Sequence, residues 1–248
     1  ELIHIGGDEC PKVRWEKCPR CQARIRQLGL RDKDGYTAEH YLQGYVTDRI
    51  GKYLAERGRR IIGWDEILEG QAPSDAIVMS WRGSAGGIKA AKLGHDVIMT
   101  PNSHFYFDYY QSPDADAEPF GIGGCVTIDK VYSFDPMADL TPGQQAHILG
   151  VQANLWTEYI ASDDHLEYML LAALSEVQWC QPGEKDWVRF RDGFRMDRIY
   201  SQMGYVFAKH IFGIKGSYAV DPQKGAVVMT LTTQGDVPIH YTLDGSEP

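Results

Sequence analysis

No run of apolar residues in this 248-residue chain reaches the roughly 18 that a membrane-spanning helix needs. Basic charge is also scarce: 25 Lys and Arg stand against 34 Asp and Glu, a net charge of −9. Binding nucleic acid takes a basic face to meet phosphates, and none is visible, so nucleic acid and membrane are both set aside as partners. Cysteines are few: Cys10, Cys18, Cys21, Cys125 and Cys180. Cys18-Pro19-Arg20-Cys21 is a CxxC with Cys10 nearby. The second pair or suitably spaced histidine of a zinc site is missing, and the nearest histidine, His4, lies on a strand. A structural role follows, as free thiols or a local disulfide, with at least one thiol unpaired within the chain. There is no start methionine, signal segment, internal repeat or low-complexity stretch. Glu1-Leu2-Ile3-His4-Ile5 already reads as a strand, so the chain is expected to begin inside a domain.

What is present is an ordinary globular composition, 43% hydrophobic, with 6 Trp and 14 Tyr. Short β-rich runs alternate with helical patterns. Strands are expected at Leu2–Gly6, Arg60–Trp64, Ala76–Trp81, Asp96–Met99 and Ile148–Ala153. A short helix is expected around Cys21–Leu28. Thr37 reads as an N-cap, with Glu39 in the first turn, and Leu42, Val46, Ile50 and Leu54 recur at helical spacing through Arg57. Gly83–Leu93 and Asp163–Cys180 are expected as helices, the latter with Leu166, Leu170, Ala173, Leu174 and Val177 on one face. Trp187–His210 is a further helical stretch, and a long loop runs from Pro101 to Thr141.

Alternation of strand and helix implies a parallel α/β sheet. The chemically suggestive residues fall at carboxyl ends of several successive strands, as in a (β/α)8 TIM barrel; a doubly wound sheet gathers ligands only at its switch point. Five strands cannot close eight, so residues 1–215 are expected to be the C-terminal part of the barrel, about strands 4 to 8. From about Gly216 the pattern becomes β only, with strands at Gly225–Thr233 and Val237–Thr242 and a turn at Leu243–Ser246. Residues 216–248 are therefore expected to open a small β-sandwich domain.

Asp8 and Glu9 are adjacent and would face opposite ways on a regular strand. After Gly6-Gly7 the backbone can bend and offer both carboxylates to one pocket. Alone, such a pair also fits an ordinary loop. Each tryptophan alone also fits a core, but Trp64, Trp81 and Trp156 all sit at strand ends.

The segments taken together resemble the family 20 glycoside hydrolases, the β-N-acetylhexosaminidases. His4-Ile5-Gly6-Gly7-Asp8-Glu9 is similar to that family's signature. Gly63-Trp64-Asp65-Glu66, Ser80-Trp81-Arg82-Gly83, Tyr106-Phe107-Asp108 and Gly150 through Glu158 resemble its later strand ends in the same order, over about residues 1–210. Ile239–Pro248 is similar to the start of the β domain often appended. The resemblance implies substrate-assisted catalysis, an exception to the two-carboxylate rule. The substrate's 2-acetamido oxygen attacks the anomeric carbon to give an oxazolinium. Glu9 is general acid and then base, and it is expected to be buried beside Asp8. Asp8 holds the acetamido N–H, and Tyr106 donates its hydroxyl to the acetamido oxygen. Trp64 and Trp81 wall the acetamido methyl, and Trp156 lies under the sugar ring. Asp108 and Glu158 accept from sugar hydroxyls, and His4 supports the strand. Asp65 and Glu66 rank below these, and Arg82 does not match the family's sugar-gripping arginine, which belongs to an earlier strand. No metal or organic cofactor is implied. The implied partner is a glycan with a terminal N-acetylhexosamine, and the implied setting is periplasmic, extracellular or lysosome-like. Oligomeric state and gluco versus galacto preference stay open.

Two other readings stay open. One is a conventional retaining glycosidase with Glu158 or Asp65 as nucleophile. The other is a carbohydrate-binding module or inactive fragment, since an opened barrel exposes an unpaired edge.

Overall fold

The computed structural model describes residues 1–170, 183–187, 189–190, 196–209, 213–233 and 239–247. Five strands form one parallel sheet in chain order: β1 (Leu2–His4), β2 (Arg60–Trp64), β3 (Ile77–Ser80), β4 (Val97–Met99) and β5 (Ile148–Val151). Each strand pairs with its chain neighbour, so the described sheet has no point of reversal. Register runs His4 to Ile62, Trp64 to Met79 and Ser80 to Met99. It slips by one residue between β4 and β5, where Gly150 takes a φ of 152°.

Parallel neighbours need crossovers. α1 (Val13–Lys17), α2 (Pro19–Leu28) and α3 (Ala38–Ala55) lie between β1 and β2, and α4 (Ala85–Lys92) joins β3 to β4. A 3-10 turn over Asp65–Leu68 follows β2 directly. Ser80 holds β3 to α4, donating to the Gly83 carbonyl and accepting from the Gly87 N–H, both at 2.7 Å. The stretch from Pro101 to Thr141, expected as a loop, contains α5 (Asn102–Phe105), a 3-10 turn (Ala115–Ala117) and α6 (Ile128–Ser133). Elements of three to six residues are too short to show a period. α7 (Pro142–Gln145) precedes β5.

Two compact units divide the chain. The first is Glu1–Tyr106 with Phe134–Asn154 and holds the whole parallel sheet. Its core cluster is Ile62, Trp64, Ile77 and Met79, with Trp81 and Ile98 packed on it. β2 and β3 are buried on successive residues, as parallel strands covered on both faces are. The edges differ: Leu2 and Leu149 are exposed. The second unit is Phe107–Ser133 with Leu155–Pro248. In it Tyr132 stacks on Phe190 at 4.5 Å, and Tyr168 donates to Glu118. β6 (Lys215–Asp221) and β7 (Ala226–Thr232) pair as an antiparallel hairpin exposed along nearly all its length.

Some expectations are corrected. The helix expected over Asp163–Cys180 ends at Met169, because Leu170 turns extended (ψ 131°); Leu166 and Leu170 are exposed, and the rest of that span lies outside the described residues. The second long helix is described at Met196–Met203, with other parts of its span outside the description. The strand expected at Val237–Thr242 is partly outside the described residues, and Ile239–Thr242 forms no strand. In α3 the inward seam is not the aliphatic row. Leu42 is buried, but Val46 and Ile50 are exposed, and the buried positions include Gly44, Thr47 and Gly51. Small residues let the chain at Gln71 and Pro73 press on the helix. A Cβ on Gly44 would lie 2.7 Å from the Gln71 backbone nitrogen, and one on Gly51 2.8 Å from Pro73 Cγ.

That seam predicts a contrast. Gly44→Ala is expected to destabilise the chain by about 1–3 kcal/mol, since a rigid backbone opposes the added methyl despite better helix propensity. Val46→Ala is expected to stay within about 0.5 kcal/mol. Urea midpoints decide; a neutral Gly44→Ala would sink the close-approach account.

Candidate active site

The turn after β1 is made by glycine. Gly6 and Gly7 have φ of 68° and 104°, a region most side chains avoid. A Cβ on Gly7 would lie 2.6 Å from Ile67 Cγ2. The Gly6 carbonyl accepts the Trp64 N–H at 3.0 Å, and the Gly7 carbonyl accepts from Gln43 at 2.7 Å, so the turn is tied to β2 and α3. His4 Nδ1 accepts the Gly6 N–H at 3.1 Å, and its ring meets Trp64 edge-on at 5.0 Å. Glu9, though not glycine, sits at φ 46°. Such a residue costs of order 1–3 kcal/mol and recurs where function holds the backbone in place. The expected burial of Glu9 is corrected: it and Asp8 are both exposed, because they follow an edge strand whose outer side carries no partner among the described residues.

Beside this turn three aromatic residues converge. Trp64 and Tyr106 are each only 8% exposed, and Trp81 is half-buried. Trp81 and Tyr106 lie with ring centroids 6.2 Å apart and planes within 17°. Tyr106 bridges to Asn154, whose N–H donates to the Phe105 carbonyl at 2.8 Å.

Behind Trp81 stands a charged cluster. Asp65 Oδ2 accepts the Trp81 N–H at 3.0 Å, and Glu66 Oε2 accepts the Trp81 indole N–H at 2.9 Å. Arg82 contacts Asp65 at 2.6 Å, Glu69 at 2.7 Å and Glu66 at 3.6 Å. Burial pushes the Glu66 carboxyl above its ordinary range; the indole donor opposes this and Asp65 adds to it. Sequence reasoning placed Asp65 and Glu66 low and gave Arg82 no role. The one signal was positional, a Trp-Asp-Glu at one strand end and a Trp-Arg at the next.

Asp108, Trp156 and Glu158 belong to the second unit. Asp108 is buried, its Oδ1 without a hydrogen-bond partner. Burial raises its carboxyl; its own N–H and that of Trp156 pull it down, and Glu158 pushes it up. Trp156 is 43% exposed, and Glu158 is exposed. Cys10, Cys18, Cys21 and Cys125 are free thiols, and Cys180 lies outside the described residues. Among the described residues no group of three or more His, Cys, Asp or Glu is placed to hold a metal.

Residues 1–182 match the family described as glycosyl hydrolase family 20, catalytic domain. The chain belongs to glycosyl hydrolase family 20. A beta-hexosaminidase of Porphyromonas gingivalis is 40% identical over 261 residues, spanning 99% of this chain and 32% of its own length. A beta-hexosaminidase of Vibrio furnissii is 31% identical over 71% of the chain and 28% of its own length. The chain thus spans about a third of these curated relatives. The solved structure of the family 20 exo beta-N-acetylglucosaminidase from Vibrio harveyi, in complex with N-acetylglucosamine, aligns with a TM-score of 0.71 at 26% identity, covering 83% of this chain and 32% of that one. The parallel sheet therefore belongs to the family 20 fold, of TIM-barrel type.

One pH effect follows from Asp108. Its folded-state affinity for a proton exceeds the unfolded one, so the folded chain pays no penalty at low pH and an increasing one as pH rises through the folded value. Asp108→Asn is expected to gain stability over the parent as pH rises from about 4 to 8, and to converge with it near pH 3. Parallel urea-midpoint curves across that range would contradict this.

Proposed function

We propose that this chain supplies the acid/base side of a retaining exo-glycosidase that removes terminal β-linked N-acetylglucosamine or N-acetylgalactosamine from glycans. The observation that carries the reading is Trp81 packed on the cluster that holds Trp64 and stacked with Tyr106, beyond the carboxyl ends of β2, β3 and β4, with Trp64 bonded to the turn that leads to Asp8 and Glu9. Apolar walls with one hydroxyl suit the methyl and oxygen of an acetamido group, which a plain sugar lacks.

In this reading the acetamido oxygen attacks the anomeric carbon as the glycosidic bond breaks, while Glu9 gives its proton to the leaving oxygen. The oxazolinium then opens when water attacks, its proton passing to Glu9. Asp8 accepts the acetamido N–H and balances the developing positive charge. Tyr106 donates to the acetamido oxygen and aligns it. Asp108 and Glu158 accept from sugar hydroxyls, and Trp156 carries the ring. A protein nucleophile at Asp65 fits poorly, since that carboxylate is already committed to Arg82 and the Trp81 backbone N–H.

We further propose that three more β/α units pair onto β1 and complete the barrel, and that residues 216–248 open a separate β domain. Exposed Leu2 on β1 supports an additional strand there. The complete barrel is then expected to cleave p-nitrophenyl N-acetylglucosaminide far faster than the plain glucoside, and residues 1–248 alone to turn over little. Glu9→Gln should lower kcat by about 10²–10⁴, with a larger loss on an unactivated disaccharide than on the nitrophenyl substrate, whose leaving group needs less acid help. Faster cleavage of the glucoside by the complete barrel would overturn the reading.

A further inference from the structure

Asp65 and Glu66 are 3% and 8% exposed, an expensive place for adjacent carboxylates. Their partners explain the arrangement. Asp65 takes the backbone N–H of Trp81 and Glu66 takes its ring N–H, so the two ends of the residue that follows β3 are gripped by two consecutive residues of the turn after β2. That turn begins immediately after Trp64. One short rigid segment therefore carries the first aromatic wall and holds the second. Arg82 closes the set from the outer side, pairing with Asp65 and Glu69 and lying 3.6 Å from Glu66. Gly86 allows it to pack, since a Cβ there would come within 2.7 Å of Asp65. A purely stabilising role accounts poorly for this geometry, because a buried ion pair contributes little that an apolar swap would not. An indole N–H aimed at a carboxylate, with the ring face turned to Tyr106, is what positioning requires.

We infer that Glu66, braced by Asp65 and Arg82, is a positioning residue that fixes the Trp81 ring relative to Trp64, and so sets the length of N-acyl group the site admits. The acyl part rests on the function proposed above; the bracing part does not. A ring free to tilt opens the pocket toward longer acyl chains, while a fixed ring rejects them. One methylene of misfit is worth about 10–200-fold in a well-formed apolar pocket, so loss of the brace should erase much of that discrimination.

Two substitutions separate the claims. Glu66→Gln keeps an oxygen to accept the indole N–H; Glu66→Leu keeps the volume and removes the acceptor. In the complete barrel, the ratio of kcat/KM for N-acetyl over N-butyryl nitrophenyl glucosaminide is expected to fall by about tenfold in Glu66→Leu and to stay within about twofold of the parent in Glu66→Gln. In residues 1–248 labelled with ¹⁵N-tryptophan, hydrogen exchange at the Trp81 indole is expected to quicken at least about tenfold in Glu66→Leu, which leaves the indole N–H without an acceptor, and far less in Glu66→Gln, which keeps one. An unchanged acyl ratio in Glu66→Leu, or equal loss in both variants, overturns the inference. If the parent barrel prefers the plain glucoside, the proposed function fails and takes the acyl claim with it. Indole exchange then decides the brace by itself: faster in Glu66→Leu alone supports it, and no difference from the parent refutes it.

Discussion

Everything in the first unit hangs from one backbone ladder. Bonds of 3.0 Å continue it past the ends of the strands, from Trp64 N–H to the Gly6 carbonyl, from Thr100 N–H to the Ser80 carbonyl and from Gln152 N–H to the Met99 carbonyl. Because side chains alternate along a strand, a slip of one residue would turn Trp64 out of the cluster it forms with Ile62, Ile77 and Met79. The one slip in the described sheet lies between β4 and β5, where Ile98, which packs on that cluster, pairs with Gly150. Register holds without a slip between β2 and β3, which place Trp64 and Met79.

The ladder places side chains but does not orient rings, and the second layer of the design meets that need with charge. Neutral hydrogen bonds contribute about 1 kcal/mol net, whereas bonds to charged groups are stronger and more directional. Asp65, Glu66, Glu69 and Arg82 form such a set without leaving either buried carboxylate alone. Elsewhere the protein accepts cost without compensation: Glu9 holds a positive φ, and Asp108 keeps a buried oxygen with no partner. Local rules broken at positions that also bear the candidate chemistry are the usual mark of a site held for function over stability.

Much of this was legible in the chain. Arg60–Trp64 is a strand at the expected bounds, and the other four sheet strands fall within those expected, because buried parallel strands read as short apolar runs ended by polar or glycine residues. Thr37 does cap α3 in a capping box with His40, whose Nδ1 accepts the Thr37 N–H at 3.3 Å. What stayed hidden depends on pairs distant in sequence. The inward seam of α3 follows from what Gln71 and Pro73 press against it, so a helical wheel of aliphatics pointed at the wrong face. β6, with residues such as Lys215, Ser217 and Asp221, has no buried face to give a pattern; only its pairing with β7 defines it. Asp65 and Glu66 rank below the other site residues until Arg82, many residues on, is brought beside them.

The exposure of Asp8 and Glu9 has the same origin as that of Leu2. All three belong to β1 or the turn beyond it, and β1 is an edge. In the proposed barrel, whatever pairs with that edge would dry both the strand and the acid that follows it. The surroundings of Glu9 as an acid are then set by an element outside these five strands. The aromatic residues differ: Trp64, Trp81 and Tyr106 are packed and braced within this unit alone. In the proposed reading, the aromatic packing is complete within this unit, whereas the surroundings of the acid also depend on what pairs with β1.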